Sequence, residues 1–259
     1  MGDFTCWKKG KATYVTDYYY EVSHNYPNLY FDKKERIWNW GNRFVAKFED
    51  GRWDRVEASL GSCWIIEDKK GNLFFIGKKT ISCYKDGTFK TDIKMADIPL
   101  KTGDTAFKCC LWGEDKVLFI GYGNKGVEVL DLNTFEFDEN IFRETSLFES
   151  NLYDLFRDRQ GNAWILASNS KKAKNYFYIK VSAKDGTIEE ILSTAAIKWD
   201  NHRNTQYPES VLCAADGAIY FGPPGDGVYI FRDGQVSHIG WKQGLAINKI
   251  DWVREGKDD

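Results

Sequence analysis

Long apolar runs are missing from this chain of 259 residues, and so is any excess of one charge. No stretch approaches the roughly 18 apolar residues of a membrane-spanning helix, and the N-terminal segment MGDFTCWKKGKATYVTD lacks the apolar core of a signal peptide. The formal net charge is −2, with scattered positive residues. We therefore expect no membrane insertion and no nucleic-acid partner. Localisation stays open: cytoplasmic for the chain as given, or periplasmic or extracellular if it belongs to a longer sensor.

Histidine is scarce, with His24, His202 and His238 as its three occurrences. No paired histidines at helical spacing and no calcium-loop pattern occur, so we predict neither a metal site nor catalytic residues. The letters GYGNKG at Gly121–Gly126 match a dinucleotide-binding fingerprint, but the alternating segment VEVLDLN follows them where a helix is needed. We interpret these glycines as a hairpin and predict no cofactor.

The six cysteines include no pair at CxxC spacing, and the adjacent Cys109 and Cys110 make a poor disulfide framework. A chain of this size builds a core of its own, so we expect buried free thiols at strand positions. A cysteine–histidine nucleophile stays an open alternative, because such partners meet in space and not in sequence.

Aromatic residues and glycine are abundant: ten Trp, fourteen Tyr, seventeen Phe and 23 Gly. Aromatic residues favour strands and glycine favours the turns between them. Five segments share one order of elements. A polar turn comes first, then an apolar strand that contains an aromatic residue, then a strand in which apolar and polar residues alternate. These segments are Phe31–Val56, Glu67–Asp92, Gly113–Asp138, Arg157–Ile191 and Ala214–Gly240.

A two-residue turn closes each copy, at Asp50-Gly51, Asp86-Gly87, Leu132-Asn133, Asp185-Gly186 and Asp233-Gly234. Asp-Gly between alternating segments predicts a tight hairpin whose two central residues both have positive φ. The closing turns follow one another at intervals of 36 to 53 residues. This is the period of a four-stranded propeller blade.

The sequence thus predicts an all-β fold, a β-propeller of about six four-stranded blades in one domain over residues 1–259. Phe4–Val15 would supply the last two strands of a blade and Ile247–Asp259 its first strand, so that the two termini close the ring. A strand expected after Asp259 is absent. Either the closing blade has three strands, or the chain is an excerpt of a longer repeat protein.

The units resemble the two-component-regulator propeller repeat, whose pattern is D-x-x-G-N-x-W-I-G-T followed by G-L-x-x-Y-D-G. DRQGNAWILASN (Asp158–Asn169) and DKKGNLFFIGKK (Asp68–Lys79) carry the first half, and DGVYIFRDG (Asp226–Gly234) carries the second. The Trp is replaced in three copies, and the Gly-Thr after it is degraded or absent. The resemblance implies a sensor region of a bacterial signalling protein that binds a ligand or partner without chemistry.

Two loops stand out, SHNYPNL (Ser23–Leu29) and DNHRNTQYPES (Asp200–Ser210), because both precede an inner strand and contain His, Asn and Tyr-Pro. In a propeller such loops surround the mouth of the central channel, and loops on a rigid scaffold often carry binding residues. The alternative is that Tyr-Pro only fixes an extended entry into the strand, and that the tryptophans pack between blades. The candidate ligand contacts are His24, Asn25, Tyr26, Trp64, Trp112, Tyr153, His202, Arg203, Tyr207 and Trp252.

We expect a monomeric, non-enzymatic propeller that binds a small molecule, a glycan or a protein partner at the channel-mouth face. The alternative is a six-bladed propeller hydrolase or lyase with its active site there, for which Asp154, Asp251 and the two loop histidines would be the donors. A third interpretation is a structural segment of a larger sensor.

Overall fold

The computed structural model describes residues 5–8, 11–14, 28–40, 44–58, 63–77, 80–94, 107–121, 124–138, 141, 142, 145, 147, 150–168, 176–193, 210–214, 216–222 and 225–245. The chain forms two compact units, Met1–Ile98 and Pro99–Asp259. Strands and turns dominate both, as predicted. Within the described ranges, no helix has the length and hydropathy needed to cross a membrane.

The first unit contains a hairpin and two four-stranded antiparallel sheets. Its strands are β1 (Thr5–Lys8), β2 (Lys11–Tyr14), β3 (Asn28–Phe31), β4 (Ile37–Trp40), β5 (Phe44–Glu49), β6 (Arg52–Ala58), β7 (Cys63–Glu67), β8 (Leu73–Gly77), β9 (Thr80–Lys85) and β10 (Thr88–Lys94). β1 pairs with β2, which confirms the N-terminal hairpin. Strands β3 to β6 form the first sheet and β7 to β10 the second, each in sequence order.

The second unit contains three further antiparallel sheets and a 3₁₀ helix at Trp241–Gln243. Its strands are β11 (Phe107–Trp112), β12 (Lys116–Gly121), β13 (Asn124–Lys125), β14 (Val127–Asp131), β15 (Asn151–Arg157), β16 (Ala163–Ser168), β17 (Phe177–Val181), β18 (Ile188–Ser193), β19 (Ser210–Cys213), β20 (Ile219–Gly222), β21 (Val228–Arg232) and β22 (Gln235–Ile239). The third sheet is β11-β12-β14, the fourth is β15 to β18 with β13 added beside β15, and the fifth is β19 to β22.

The five sheets coincide with the five sequence repeats, and their strands are antiparallel and, apart from the short β13, follow one another in sequence, as in propeller blades. The third sheet differs from the prediction because a single bridge between Leu130 and Phe137 takes the place of a fourth strand. The segment Ile247–Asp259, predicted to complete the ring, lies outside the described residues. Blade number and ring closure therefore stay predictions.

Three of the closing turns have the predicted geometry. Both central residues have positive φ at Asp50-Gly51 (53° and 81°), at Asp86-Gly87 (50° and 82°) and at Asp233-Gly234 (50° and 76°). In the fourth sheet only Gly186 of the Asp185-Gly186 pair has a positive φ, because Ser182 N–H donates to the Thr187 carbonyl and encloses a longer loop.

The turn between the first and second strands of the fourth sheet is organised by one aspartate. Asp158, 7% exposed, accepts hydrogen bonds from the backbone N–H and side-chain amide of Asn162 (2.8 and 2.9 Å) and from the indole N–H of Trp164 (2.9 Å). Gly161 has a φ of 87°, which favours glycine. This is why an Asp, a Gly-Asn pair and an aromatic residue recur at fixed spacing.

The same network occurs in the first unit with substitutions. Asp32 accepts from the guanidinium of Arg36 (2.6 Å) and from the indole N–H of Trp38 (2.8 Å). Asp68 accepts twice from Asn72, whereas Phe74 stands at the position of Trp38 and Trp164.

Aromatic side chains of the second strands then pack against the neighbouring sheet. Trp38 contacts Phe75 and Tyr84 edge-on, with ring centroids 5.5 and 4.8 Å apart. Trp164 belongs to a buried cluster with Phe221 and Tyr229 of the fifth sheet. The predicted structural role of Trp164 between sheets is confirmed.

Candidate functional site

Each sheet has two different ends. We call the end with the turns between first and second strands, and between third and fourth strands, the turn end. The opposite end, at which the sheets are connected to one another, is the loop end. The sequence analysis places the ligand at the loop end.

Seven of the ten predicted contacts lie outside the described residues. They are His24, Asn25, Tyr26, His202, Arg203, Tyr207 and Trp252. Their roles stay predictions. Trp64, Trp112 and Tyr153 are described and can be placed in the sheets.

Trp64 lies at the loop end of the second sheet. It is the second residue of β7, pairs with Ile76 across the strand and is 43% exposed. A large aromatic side chain so exposed on an inner strand offers a flat apolar surface to a ligand. Its role as a ligand contact stays a prediction.

Tyr153 lies near the loop end of the fourth sheet. The register between β15 and β16 shifts between Leu152 and Asp154, which leaves Tyr153 in a β-bulge. Its ring meets that of Tyr176 edge-on at 5.2 Å and stays half-buried. Bulges re-aim side chains and are frequent beside functional sites.

Asp154 follows in the same strand and is joined to Lys108, a residue that the sequence analysis did not identify. The Lys108 ammonium donates to the Asp154 carboxylate at 2.6 Å, with side-chain exposures of 30% and 16%. The same carboxylate oxygen accepts from the backbone N–H of Leu155 at 2.7 Å. A lysine and a carboxylate that are both partly open to solvent can bind hydroxyl, carboxylate or amide groups of a ligand.

Trp112 lies at the turn end, away from the other predicted contacts. It is the last residue of β11, is 5% exposed and donates its indole N–H to the Val181 carbonyl at 3.3 Å. Its ring packs against Phe142 at 5.7 Å. These contacts favour the packing role that was the alternative for this tryptophan, and its side chain also lines a groove at the turn end.

Two open grooves lie at the turn end of the third sheet. One, of about 530 Å³, is formed by the Gly113–Lys116 turn, Ile141–Phe142 and the Ala183–Gly186 turn. The other, of about 520 Å³, lies between Lys116 and the Asp131–Asp138 loop.

The groove carboxylates hold the turns themselves. Asp115 accepts from the side-chain amide of Asn133 at 2.7 Å. A hydrogen bond from the Thr187 hydroxyl, with further bonds from Ser182 and the Thr187 backbone, lowers the pKa of Asp185 to about 2.

Hydrogen bonds also join neighbouring sheets at their turn ends. In the first unit, Glu67 accepts from the Lys33 backbone N–H at 3.0 Å, and the Lys33 ammonium donates to the Asp68 carbonyl at 2.7 Å. In the second unit, Gly113 N–H donates to the Gly161 carbonyl at 3.0 Å, and Arg157 donates to the Gly113 carbonyl at 2.9 Å. Structural contacts at the turn ends therefore join the first sheet to the second and the third sheet to the fourth.

The thiols do not form a reactive site among the described residues. Cys83, Cys109, Cys110 and Cys213 are free and buried, as predicted. Burial raises the pKa of the Cys110 and Cys213 thiols to about 12, so neither is a thiolate at neutral pH.

The remaining motifs have structural explanations. His238 stacks on Tyr229 at 4.4 Å, so its ring packs within the fifth sheet. Gly121 ends β12, Gly126 directly precedes β14, and the two strands pair antiparallel, which confirms the hairpin interpretation of GYGNKG. No group of three or more His, Cys, Asp or Glu side chains suited to a metal occurs in the described part of the chain.

Comparison with known proteins connects the chain to solved structures alone. No family model and no curated protein matches it. The extracellular domain of a B. thetaiotaomicron protein described as a hybrid two-component system, BT4673, matches over 95% of this chain and 34% of its own, with 15% identity and a TM-score of 0.62.

Two further structures have the same fold. An auxiliary nutrient binding protein from Bacteroides ovatus matches over 82% of this chain and 56% of its own, with 13% identity and a TM-score of 0.50. The β-propeller domain of Cps50 from Myceliophteria thermophila matches over 82% and 70%, with 12% identity and a TM-score of 0.52. The chain is a β-propeller, and it spans about a third of the BT4673 domain.

Proposed function

We propose that this propeller is a non-enzymatic binding module of a sensor, of the two-component-regulator repeat type, which takes its ligand at the loop end. The ligand is a small molecule, a glycan or a segment of a protein partner. One observation carries this proposal. The exposed Trp64 and the partly exposed Lys108–Asp154 pair both lie at loop ends, whereas the carboxylates described in the turn-end grooves, Asp115 and Asp185, hold their own turns.

The chemistry at the loop ends suits a ligand with both apolar faces and polar groups. In the second unit, Lys108 supplies the N–H donors beyond the one bonded to Asp154, Asp154 supplies acceptors, and Tyr153 adds an aromatic ring in the same strand. In the first unit, Trp64 supplies the larger aromatic surface. Sugars and peptides combine C–H faces with hydroxyl or amide groups, so they are the ligands we would test first.

The structural matches support the sensor part of the proposal through what their names say. BT4673 is described as a two-component system, and the B. ovatus protein as nutrient binding. The hydrolase or lyase alternative has no assembled site in the described ranges. Asp154, its one described donor, is bonded to Lys108.

A thermal-shift screen with mono- and oligosaccharides, amino acids and short peptides tests the proposal. A ligand at about 100 times its Kd stabilises the folded chain by about 2.7 kcal/mol. We expect a Tm increase with at least one compound, and its loss in Trp64→Ala or Lys108→Met. Phe31→Ala removes another exposed aromatic side chain (60%), at the turn end of the first sheet, and is the matched control. Equal loss of the shift in the control, or turnover of the bound compound, would overturn the proposal.

A further inference from the structure

The outer strand of the fifth sheet, β22, differs from the outer strands of the other four sheets. β6 carries four charged residues, β10 three, and β14 and β18 two each, whereas the sequence QVSHI of β22 carries none. Charges on an outer strand are the usual protection against pairing with another chain. β22 lacks this protection, and it contains no proline.

The surface around β22 is also apolar. Large hydrophobic side chains that are exposed in the described part of the chain number five, and three of them are Val236 (37%), Ile239 (37%) and Trp241 (65%). They lie within six residues of one another. Val236 and Ile239 are three residues apart in one strand, so they lie on opposite faces of the sheet, and each face exposes an apolar side chain at this edge.

β22 pairs with β21 along one edge, and no strand among the described residues pairs with its other edge. We propose that a second copy of this chain pairs there, with its own β22 antiparallel, so that two fifth sheets join into one continuous sheet around a two-fold axis. In this arrangement Ser237 faces Ser237 of the second copy. Val236 then faces His238, and Gln235 faces Ile239.

The charges at the two ends of β22 favour the antiparallel direction. Asp233, in the turn before the strand, and Lys242, in the 3₁₀ helix after it, are both exposed. Antiparallel pairing brings Asp233 of each copy towards Lys242 of the other, whereas parallel pairing brings like charges together. The two-fold arrangement also covers both open edges at once, so that assembly stops at a dimer. This dimer would replace the monomer expected from the sequence.

The test uses the fact that position 237 faces itself across the two-fold axis. Like charges directly opposite each other destabilise a strand pair, so we expect Ser237→Lys and Ser237→Glu each to be monomeric by sedimentation velocity and light scattering. An equimolar mixture of the two variants should form dimers again, because each pair then joins opposite charges. Ser237→Thr is the uncharged control and should be as dimeric as the original chain.

The mixture also checks folding, because a misfolded variant cannot regain the dimer from its partner. Dimeric original chain, monomeric single-charge variants and a dimeric mixture support the proposal. A monomeric original chain at its highest soluble concentration overturns it. A dimer that persists in Ser237→Lys, or a mixture that stays monomeric, overturns it as well.

Discussion

Replacing Asp158 by alanine tests the claim that one aspartate holds the turn between the first and second strands of the fourth sheet. Asp158 is 7% exposed and accepts three hydrogen bonds, two from Asn162 and one from the indole of Trp164. Hydrogen bonds to a charged group contribute about 1.5–3 kcal/mol each, and a buried donor left without its acceptor adds a penalty of its own. Because the loop can relax partly into water, we expect a loss of about 3–4 kcal/mol in the free energy of unfolding.

Two further variants separate the indole bond from the rest. Trp164→Phe removes one donor and some buried area, and we expect it to cost about 1–2 kcal/mol. In a chain that already carries Asp158→Ala, Trp164→Phe removes an indole N–H that has lost its acceptor, so it should cost less than in the original chain. The difference between the two costs, the coupling energy, should be about 1–2 kcal/mol. Asp68→Ala is the matched control: Asp68 makes the Asn72 bonds but faces Phe74, so its loss should be smaller.

The assay is urea unfolding monitored by far-UV circular dichroism. The slope of the unfolding free energy against urea concentration should be the same in all variants. Additivity of Asp158→Ala and Trp164→Phe within about 0.5 kcal/mol would refute the assigned indole bond. A loss at Asp68→Ala equal to that at Asp158→Ala would also contradict the reasoning.

Two other predictions concern a close backbone approach and a titrating contact. An added Cβ at Gly227 (φ 80°) would overlap the Ile239 carbonyl oxygen and come within 3.1 Å of Gly240 Cα, whereas at Gly225 (φ 73°) it would meet nothing within 4 Å. Gly225→Ala should therefore cost only the left-handed penalty of about 1–2 kcal/mol and Gly227→Ala about 3 kcal/mol or more, as measured by urea unfolding; equal losses would contradict the predicted overlap. Burial raises the pKa of Glu67 above 4.5. The protonated carboxyl therefore contributes its full stabilisation below that pH, and this contribution is lost as the pH rises through the pKa of the folded state. Glu67→Gln should thus gain stability relative to the original chain from about pH 4 to about pH 7 in parallel unfolding curves, and a constant difference would count against this assignment.

The sequence predicts the local parts of this fold well, because their causes lie within a few residues. Asp-Gly pairs specify tight turns at Asp50, Asp86 and Asp233, since both of their central residues must have positive φ. The pattern Asp-x-x-Gly-Asn-x-Trp specifies a turn whose bonds span six residues at most. Repeat boundaries therefore agree with sheet boundaries.

Contacts between residues that are far apart in the sequence could not be predicted from the repeat pattern. Lys108 and Asp154 are 46 positions apart, and each alone is an ordinary surface charge in the sequence. β13 joins the fourth sheet through Asn124 and Lys125, which no repeat motif marks. Trp112 resembles an exposed inner-strand aromatic in sequence, but the Val181 carbonyl and Phe142 enclose it at the turn end.

Hydrogen exchange with and without a compound that raises the Tm tests the central claim most directly, because it reports both ends of the sheets together. If the ligand binds at the loop end, amides around Trp64 or around Lys108 and Tyr153 should gain protection, while those of the Gly113–Lys116 and Ala183–Gly186 turns stay unchanged. Protection confined to those two turns would place the ligand in the turn-end groove of about 530 Å³ and contradict the account.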